Sequence, residues 1–431
     1  MRKCLALAGL LLSARAFADL DGSYVLPTEH AAIAYDKAPV SERIAALQQK
    51  LASGDVRLDF DDAHGYLAAV LRALAVPVSS QVLVFSKTSF QAPKISPRTP
   101  RALYFSDDMS VGWVPGGDVV EIAAVDPHQG VIFYTLDQEK VAKPRFDRRG
   151  ECLQCHASGG TLGVPGLVVR SVYPERSGMP LFHAGGFVTD HRSPLSERWG
   201  GWYVTGTHGS ARHMGNVTAA DKEHPDQLDR EQGANLTELK DRIDTGVYLS
   251  PHSDLVALMV LEHQTRMTNL ITRVGWEARL AIHDQRAINQ ALGEPLDQMG
   301  ESATRRIHNA VEAMLKYMLF TDEAKLEAPV KGTSAFAREF AAQGPRDHAG
   351  RSLRDLDLDR RLFRYPLSFL IYSAQFEGLP QVVRDRVYQR LREILSGQDK
   401  SAAYARLTNP DRQVLLEILR DTKPAFARLT Q

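Results

Sequence analysis

Between residues 82 and 136 the chain passes through short β-branched and aromatic runs, at 82–85, 102–105, 119–125 and 131–136, separated by Pro- and Gly-containing turns. Runs of this kind, bounded by turn formers, read as strands. Cys152-Leu153-Gln154-Cys155-His156 follows them closely, so whatever chemistry these five residues carry is mounted on a sheet. More strand-like runs come after, at 167–173, 181–188 and 201–205.

Helical patterning flanks this region. Residues 41–54 place Ile44, Leu47 and Leu51 at helical spacing between a Ser cap and a Gly stop, and 63–75 form a second apolar helix ended by Pro77. From 218 to 246 the sequence is polar and charge-dense, which marks a domain boundary. Beyond it Ser250-Pro251 offers a cap and a first helical position. Leu255, Met259, His263, Met267, Leu270 and Val274 then share one helix face. Residues 303–320 and 380–395 predict further amphipathic helices, and 329–351 an irregular connection. The expected fold is α+β, with a β-rich domain over 19–245, short helices at its start, and a mostly α-helical domain over 246–431.

The first residues point to export. Arg2 and Lys3 precede a short apolar run, and Ala16-Phe17-Ala18 supplies a cleavage site, so 1–18 read as a signal peptide. Cleavage removes Cys4 and leaves Cys152 and Cys155 as the only cysteines of a soluble, periplasmic protein with no integral membrane segment. With Arg2, Lys3 and Arg15 gone, 52 basic residues become 49 against 52 acidic ones, and this near-neutral balance argues against nucleic acid as a partner.

Two thiols two residues apart, followed at once by an imidazole, suit covalent attachment of one haem c. The thiols of Cys152 and Cys155 form thioethers with the two vinyl groups, and His156 lies beneath the iron as proximal ligand. A thioredoxin-like redox pair is one rival, but such pairs sit between an early strand and a helix. Zinc is another, since His208 and His213 have the spacing of a ligand pair that would complete a Cys2His2 site, although the gap between the halves is long.

The run His156-Ala157-Ser158-Gly159-Gly160-Thr161-Leu162-Gly163-Val164-Pro165-Gly166-Leu167 resembles the loop that follows the motif in c-type cytochromes. The likeness covers about 151–167, and the chain as a whole resembles exported cytochrome c domain-containing proteins. It implies that the carbonyl of Pro165 accepts the N–H of the proximal imidazole, fixing its tautomer. Small cytochromes c are helical with the motif on their first helix, and this chain departs from that pattern.

The sixth iron position decides between electron transfer and ligand binding. His213, Met214 and His208 are the distal candidates, in the aromatic and Gly-rich stretch 199–216, with Met214 lying 58 residues beyond His156. His263 and Met267 on the long helix are alternatives, followed by Met179, His183 and His191. Arg145, Arg148, Arg149 and Arg170 are candidates to pair with haem propionates. Electron transfer with a redox partner protein is the leading expectation. The alternatives are a peroxidase-type oxidoreductase with an open distal site, with His208, Arg212 and His213 as its distal group, and a haem-based redox or gas sensor.

Overall fold

The computed structural model describes residues 24–428, so the expected signal segment with Cys4 lies outside them. The α+β class is as expected. Seven strands, β1 (Val82–Val84), β2 (Arg101–Phe105), β3 (Met109–Trp113), β4 (Val119–Asp126), β5 (Gly130–Asp137), β6 (Phe146–Arg148) and β9 (Trp202–Tyr203), form one antiparallel sheet in the order β6-β5-β4-β3-β2-β1-β9. Two small ribbons pair β7 (Arg170–Val172) with β8 (Gly186–Val188) and β10 (Gly206–Thr207) with β11 (Lys331–Gly332). The ten helices described are α1 (Arg43–Ser53), α2 (Leu67–Ala73), α3 (Leu153–His156), α4 (Leu255–Leu292), α5 (Glu301–Met318), α6 (Phe336–Ala341), α7 (Ala374–Glu377), α8 (Gln381–Leu395), α9 (Asn409–Thr422) and α10 (Pro424–Arg428).

Alternation along the strands divides the sheet's two faces. On one face Val120, Ile122 and Ala124 of β4 and Ile132, Tyr134 and Leu136 of β5 join a core with Ile44 and Leu47 of α1 and Leu67 and Val70 of α2. On the other face Ala123, Val131 and Phe133 form a separate small cluster, against which Cys152, Leu153 and Leu167 pack. At the far edge of the sheet Val82, Val84, Phe105 and Trp202 join the core of the helical region, built on α4.

The helix ends depart from the sequence expectation. Glu42 rather than Ser41 caps α1, its carboxylate accepting from the backbone N–H of Ile44 and Ala45. Ser41 is instead held by Asp126, which accepts its backbone N–H at 2.7 Å. The long helix starts at Leu255 with Asp254 as cap, beyond Ser250-Pro251, because the Asp254 carboxylate accepts from Val256 and Ala257 N–H and also from Thr333 and Ser334. The segment expected to be irregular contains β11 and α6. β3 has no counterpart among the expected strands because Gly112 interrupts its apolar run. That glycine leaves room for the Arg101 guanidinium, which a Cβ would meet at 2.4 Å.

α4 has 38 residues and is about 57 Å long at 1.5 Å per residue. Leu255 through Ala281 bury most of their side chains, and the helix packs on α5 and on the sheet region. Trp276 and Leu280 belong to the core beneath the sheet, while Val82, Leu162, Trp199 and Val204 belong to the helical core, so apolar packing runs across position 245 in both directions. No helix among the described residues is long and apolar enough to cross a membrane.

Candidate functional site

The Cys152–His156 turn sits on the β4–β5 face. β6 leads into a short 3-10 turn, Gly150–Cys152, and then into α3, so both cysteines and the histidine fall within two turns of helix-like backbone. Both thiols are free. Cys155 is exposed, and Cys152 is half-buried against the Ala123–Val131–Phe133 cluster. Burial pushes the Cys152 thiol up, with Glu151 and Glu121 adding to it.

His156 is turned inward. Its ring lies 4.8 Å from that of Phe133, and its Nδ1 is 2.9 Å from the carbonyl of Gly166. The backbone returns the bond, with Gly166 N–H donating to the His156 carbonyl at 2.9 Å. Nδ1 therefore carries the proton, and Nε2 keeps its lone pair with no hydrogen-bond partner among the described residues. Burial, followed by the Arg101 charge, lowers the imidazole's pKa, so the ring is neutral at pH 7.

The acceptor is Gly166, not Pro165 as the cytochrome likeness implies. The Pro165 carbonyl is already taken by the N–H of Val131 at 3.2 Å, which ties the loop to the start of β5. One residue later the carbonyl turns toward the ring. The chemical role is kept, and its position moves by one.

The loop carrying Gly166 is clamped by α4. Asn269 donates from Nδ2 to the Leu167 carbonyl at 2.7 Å, and its Oδ1 accepts the Leu167 N–H at 3.1 Å. One turn further, Arg273 donates to the Leu162 carbonyl at 2.9 Å and to the Tyr24 carbonyl at 3.1 Å, while Glu277 holds its other nitrogen at 2.8 Å. Leu162, fully buried, has a left-handed φ of 60°. Close approach also requires a glycine at 166, because a Cβ there would lie 2.2 Å from Asn269 Oδ1. Asn269 and Arg273 were missed by sequence reasoning: α4 buries other polar side chains as well, among them Glu262, Gln264 and Thr268, so polarity on this helix does not single them out.

The distal candidates are placed elsewhere. His208 has both ring nitrogens engaged, Nδ1 with the Ala211 carbonyl at 2.9 Å and Nε2 accepting the Asn235 N–H at 3.0 Å. His213 is buried between Trp199 and His208, accepts the Gly215 N–H at 3.0 Å, and is pushed down to about 3 by burial. Met214 is fully buried in a cluster with Leu181 and Val217, its sulfur 3.6 Å from the Ser171 hydroxyl. Arg212 pairs with Glu231 at the surface. His263 is a core residue, its Nδ1 2.8 Å from that of His191 and its Nε2 2.8 Å from the Ser368 hydroxyl. Met267 is fully buried in the helical core, and Met179 is exposed. His183 bonds the Lys222 carbonyl at 3.0 Å. No hydrogen bond or ring contact among the described residues joins any of these candidates to the Cys152–His156 turn.

The basic residues divide in a similar way. Arg145 pairs with Asp147, Arg148 donates to the Tyr35 carbonyl, and Arg149 donates to Thr135 Oγ1. Arg170 is exposed and forms no ion pair among the described residues. Arg101, half-buried and paired with Glu121 on the sheet face, acts on His156 through its charge, and Arg170 acts in the same direction more weakly. Cys152, Cys155, His208 and His213 do not gather as a zinc site needs. The one group of three metal-ligating side chains among the described residues is His30, His283 and Asp284, where Asp284 is bound by Arg306 and His30 Nδ1 accepts the Ala32 N–H.

Compared with protein-family profiles, curated proteins and solved structures, the chain matches none.

Proposed function

We propose that this chain is an exported, mono-haem c-type cytochrome, with haem covalently bound through Cys152 and Cys155, His156 as proximal ligand, and electron transfer to a redox partner protein as its role. The observation that carries the reading is the state of His156: neutral, with Nδ1–H held by the Gly166 carbonyl and Nε2 left unpartnered beside two free thiols. A ligating histidine needs this arrangement, because a carbonyl on one nitrogen fixes the tautomer and directs the other nitrogen's lone pair. The residues present therefore fit the group.

Bound haem supplies a one-electron iron couple whose potential depends on ligands, burial and nearby charge. Phe133 and the loop to Leu167 fix the plane of the imidazole. The Arg101–Glu121 pair sets a local field within reach of that ring, and the α4 clamp keeps the carbonyl in place. Cys155, at the surface, leaves this face accessible to a partner.

The engagement of His208 and Met214 elsewhere favours a second reading, in which the sixth position stays open and takes a small ligand, as in a peroxidase-type oxidoreductase or a gas sensor. Optical spectra of the purified protein, oxidised and reduced, decide between the readings. A c-type spectrum that is lost in Cys152→Ala/Cys155→Ala is expected, and zinc with no haem absorbance refutes the proposal. Carbon monoxide then separates the two forms: a spectrum that does not respond supports electron transfer, and a ready shift supports the open site.

A further inference from the structure

We infer that the cavity at the C-terminal end of α5 is a binding site for a small organic carboxylate with an apolar body. It is a half-open cleft of about 330 Å³, within the range of small-molecule sites, and lies between the α5 end, residues 323–326, the 356–363 hairpin and Arg406. The inference rests on this cavity alone and is independent of the haem reading.

The floor is apolar and fixed. Leu319, Phe320 and Leu407 are buried there. Phe320 has a φ of 54°, a left-handed conformation that costs a bulky residue energy and persists only where surrounding structure enforces it. Its ring stacks on His191 at 4.4 Å and on His263 at 4.5 Å, so packing beneath the cavity holds that conformation.

The walls are cationic. Lys325, Arg360, Arg361 and Arg406 line the cavity together with one carboxylate, Glu323; behind the lining, Arg360 pairs with Asp357 at 3.1 Å and Arg361 with Asp411 at 2.8 Å. Arg406 donates Nη1 to the carbonyls of Thr321 and Glu323, at 3.2 and 3.0 Å, which sets its plane without using any carboxylate. Arg361 is held by the Arg364 carbonyl and Asp411, and its buried Nε has no partner. Lys325 has no ion-pair partner among the described residues. Glu323 accepts the Leu362 N–H at 2.8 Å, and burial pushes its carboxyl up to about 7, which weakens its value as a counter-ion. The hairpin is pinned by Leu326 N–H to Arg360 and Val330 N–H to Leu358, so the cations are presented on fixed backbone.

Guanidinium forks match a planar carboxylate, and the apolar floor needs a hydrocarbon body. A phosphate dianion satisfies only the first requirement.

The test is calorimetric titration of the purified protein with benzoate, hexanoate and inorganic phosphate. At least one organic acid is expected to bind one to one, about tenfold or more tighter than phosphate. In Lys325→Met/Arg360→Met, which removes two exposed cations of the wall and with them the Arg360–Asp357 pair, that affinity should fall about tenfold while thermal unfolding shows the protein still folded. The inference is overturned if neither acid binds up to about 10 mM, if phosphate binds as tightly, or if the double variant binds like the wild type.

Discussion

Gly166→Ala should damage the site by a route that can be measured without any cofactor. The backbone there lies outside the left-handed region, so alanine is conformationally allowed. The new methyl would stand 2.2 Å from Asn269 Oδ1 and 2.8 Å from its Cγ, closer than real Cβ atoms come. Asn269 cannot rotate away without releasing both bonds to Leu167. Losing both hydrogen bonds at ~0.5–1.5 kcal/mol each, or keeping them and absorbing the clash as strain at ~1–3 kcal/mol, gives a destabilisation of about 1–3 kcal/mol by either route. Denaturant unfolding of Gly166→Ala, Asn269→Ala and the double variant reads this directly as a mutant cycle. With the amide gone, the alanine should cost almost nothing. A single variant within about 0.5 kcal/mol of wild type, or a cost unchanged in the Asn269→Ala background, refutes the clamp.

Three further outcomes follow from the geometry. Arg198→Met removes the partner, at 2.9 Å, of the fully buried Glu262 and should destabilise by about 3–5 kcal/mol, with Arg198→Met/Glu262→Leu recovering only part of that in the same unfolding assay, because the His191 and Ser193 carbonyls lose the same donor. His213→Asn should flatten the pH dependence. Its folded pKa of about 3 lies below the unfolded value, so the neutral ring's contribution is complete above about pH 6.5 and is lost as pH falls toward 3. Between pH 6 and 4 the variant's stability should therefore change by about 1.4 kcal/mol less per pH unit than the wild type's. Met214→Ala leaves a cavity in a fully buried cluster and should cost about 2–5 kcal/mol; with its sulfur turned to Ser171, it should leave any haem spectrum unchanged, and loss of a charge-transfer band would reinstate it as an iron ligand.

Much of this fold is written in local periodicity. α1, α2, α5 and α8 announce themselves through apolar spacing, as do β4 and β5 through their β-branched runs. The helix starts do not, because the caps are chosen by tertiary partners: Ser41 is drawn to Asp126, and Asp254 is shared with the Thr333–Ser334 turn. At the site, Cys152, Cys155 and His156 were legible from spacing. The carbonyl partner was misplaced by one residue, because only the pairing of Pro165 with Val131 decides which oxygen turns inward. Asn269 and Arg273 were illegible as site residues, since nothing local says which loop a buried polar group on a helix will meet. The distal candidates show the converse: His208, His213 and Met214 are suitable ligand types, but their hydrogen bonds and packing serve a different part of the molecule.

The clamp has a bearing on the order in which the molecule is completed. Leu167 and Asn269 are separated by 102 residues, so a chain growing from its N-terminus presents Cys152, Cys155 and His156 well before α4 exists to hold the loop behind them. The bonds between His156 and Gly166 lie within ten residues of chain, whereas the hold on Leu167 comes from the distant helix. The thiol-bearing turn and the element that anchors the loop behind it are thus supplied by segments far apart in the chain, and the loop gains its anchor only once α4 has been made.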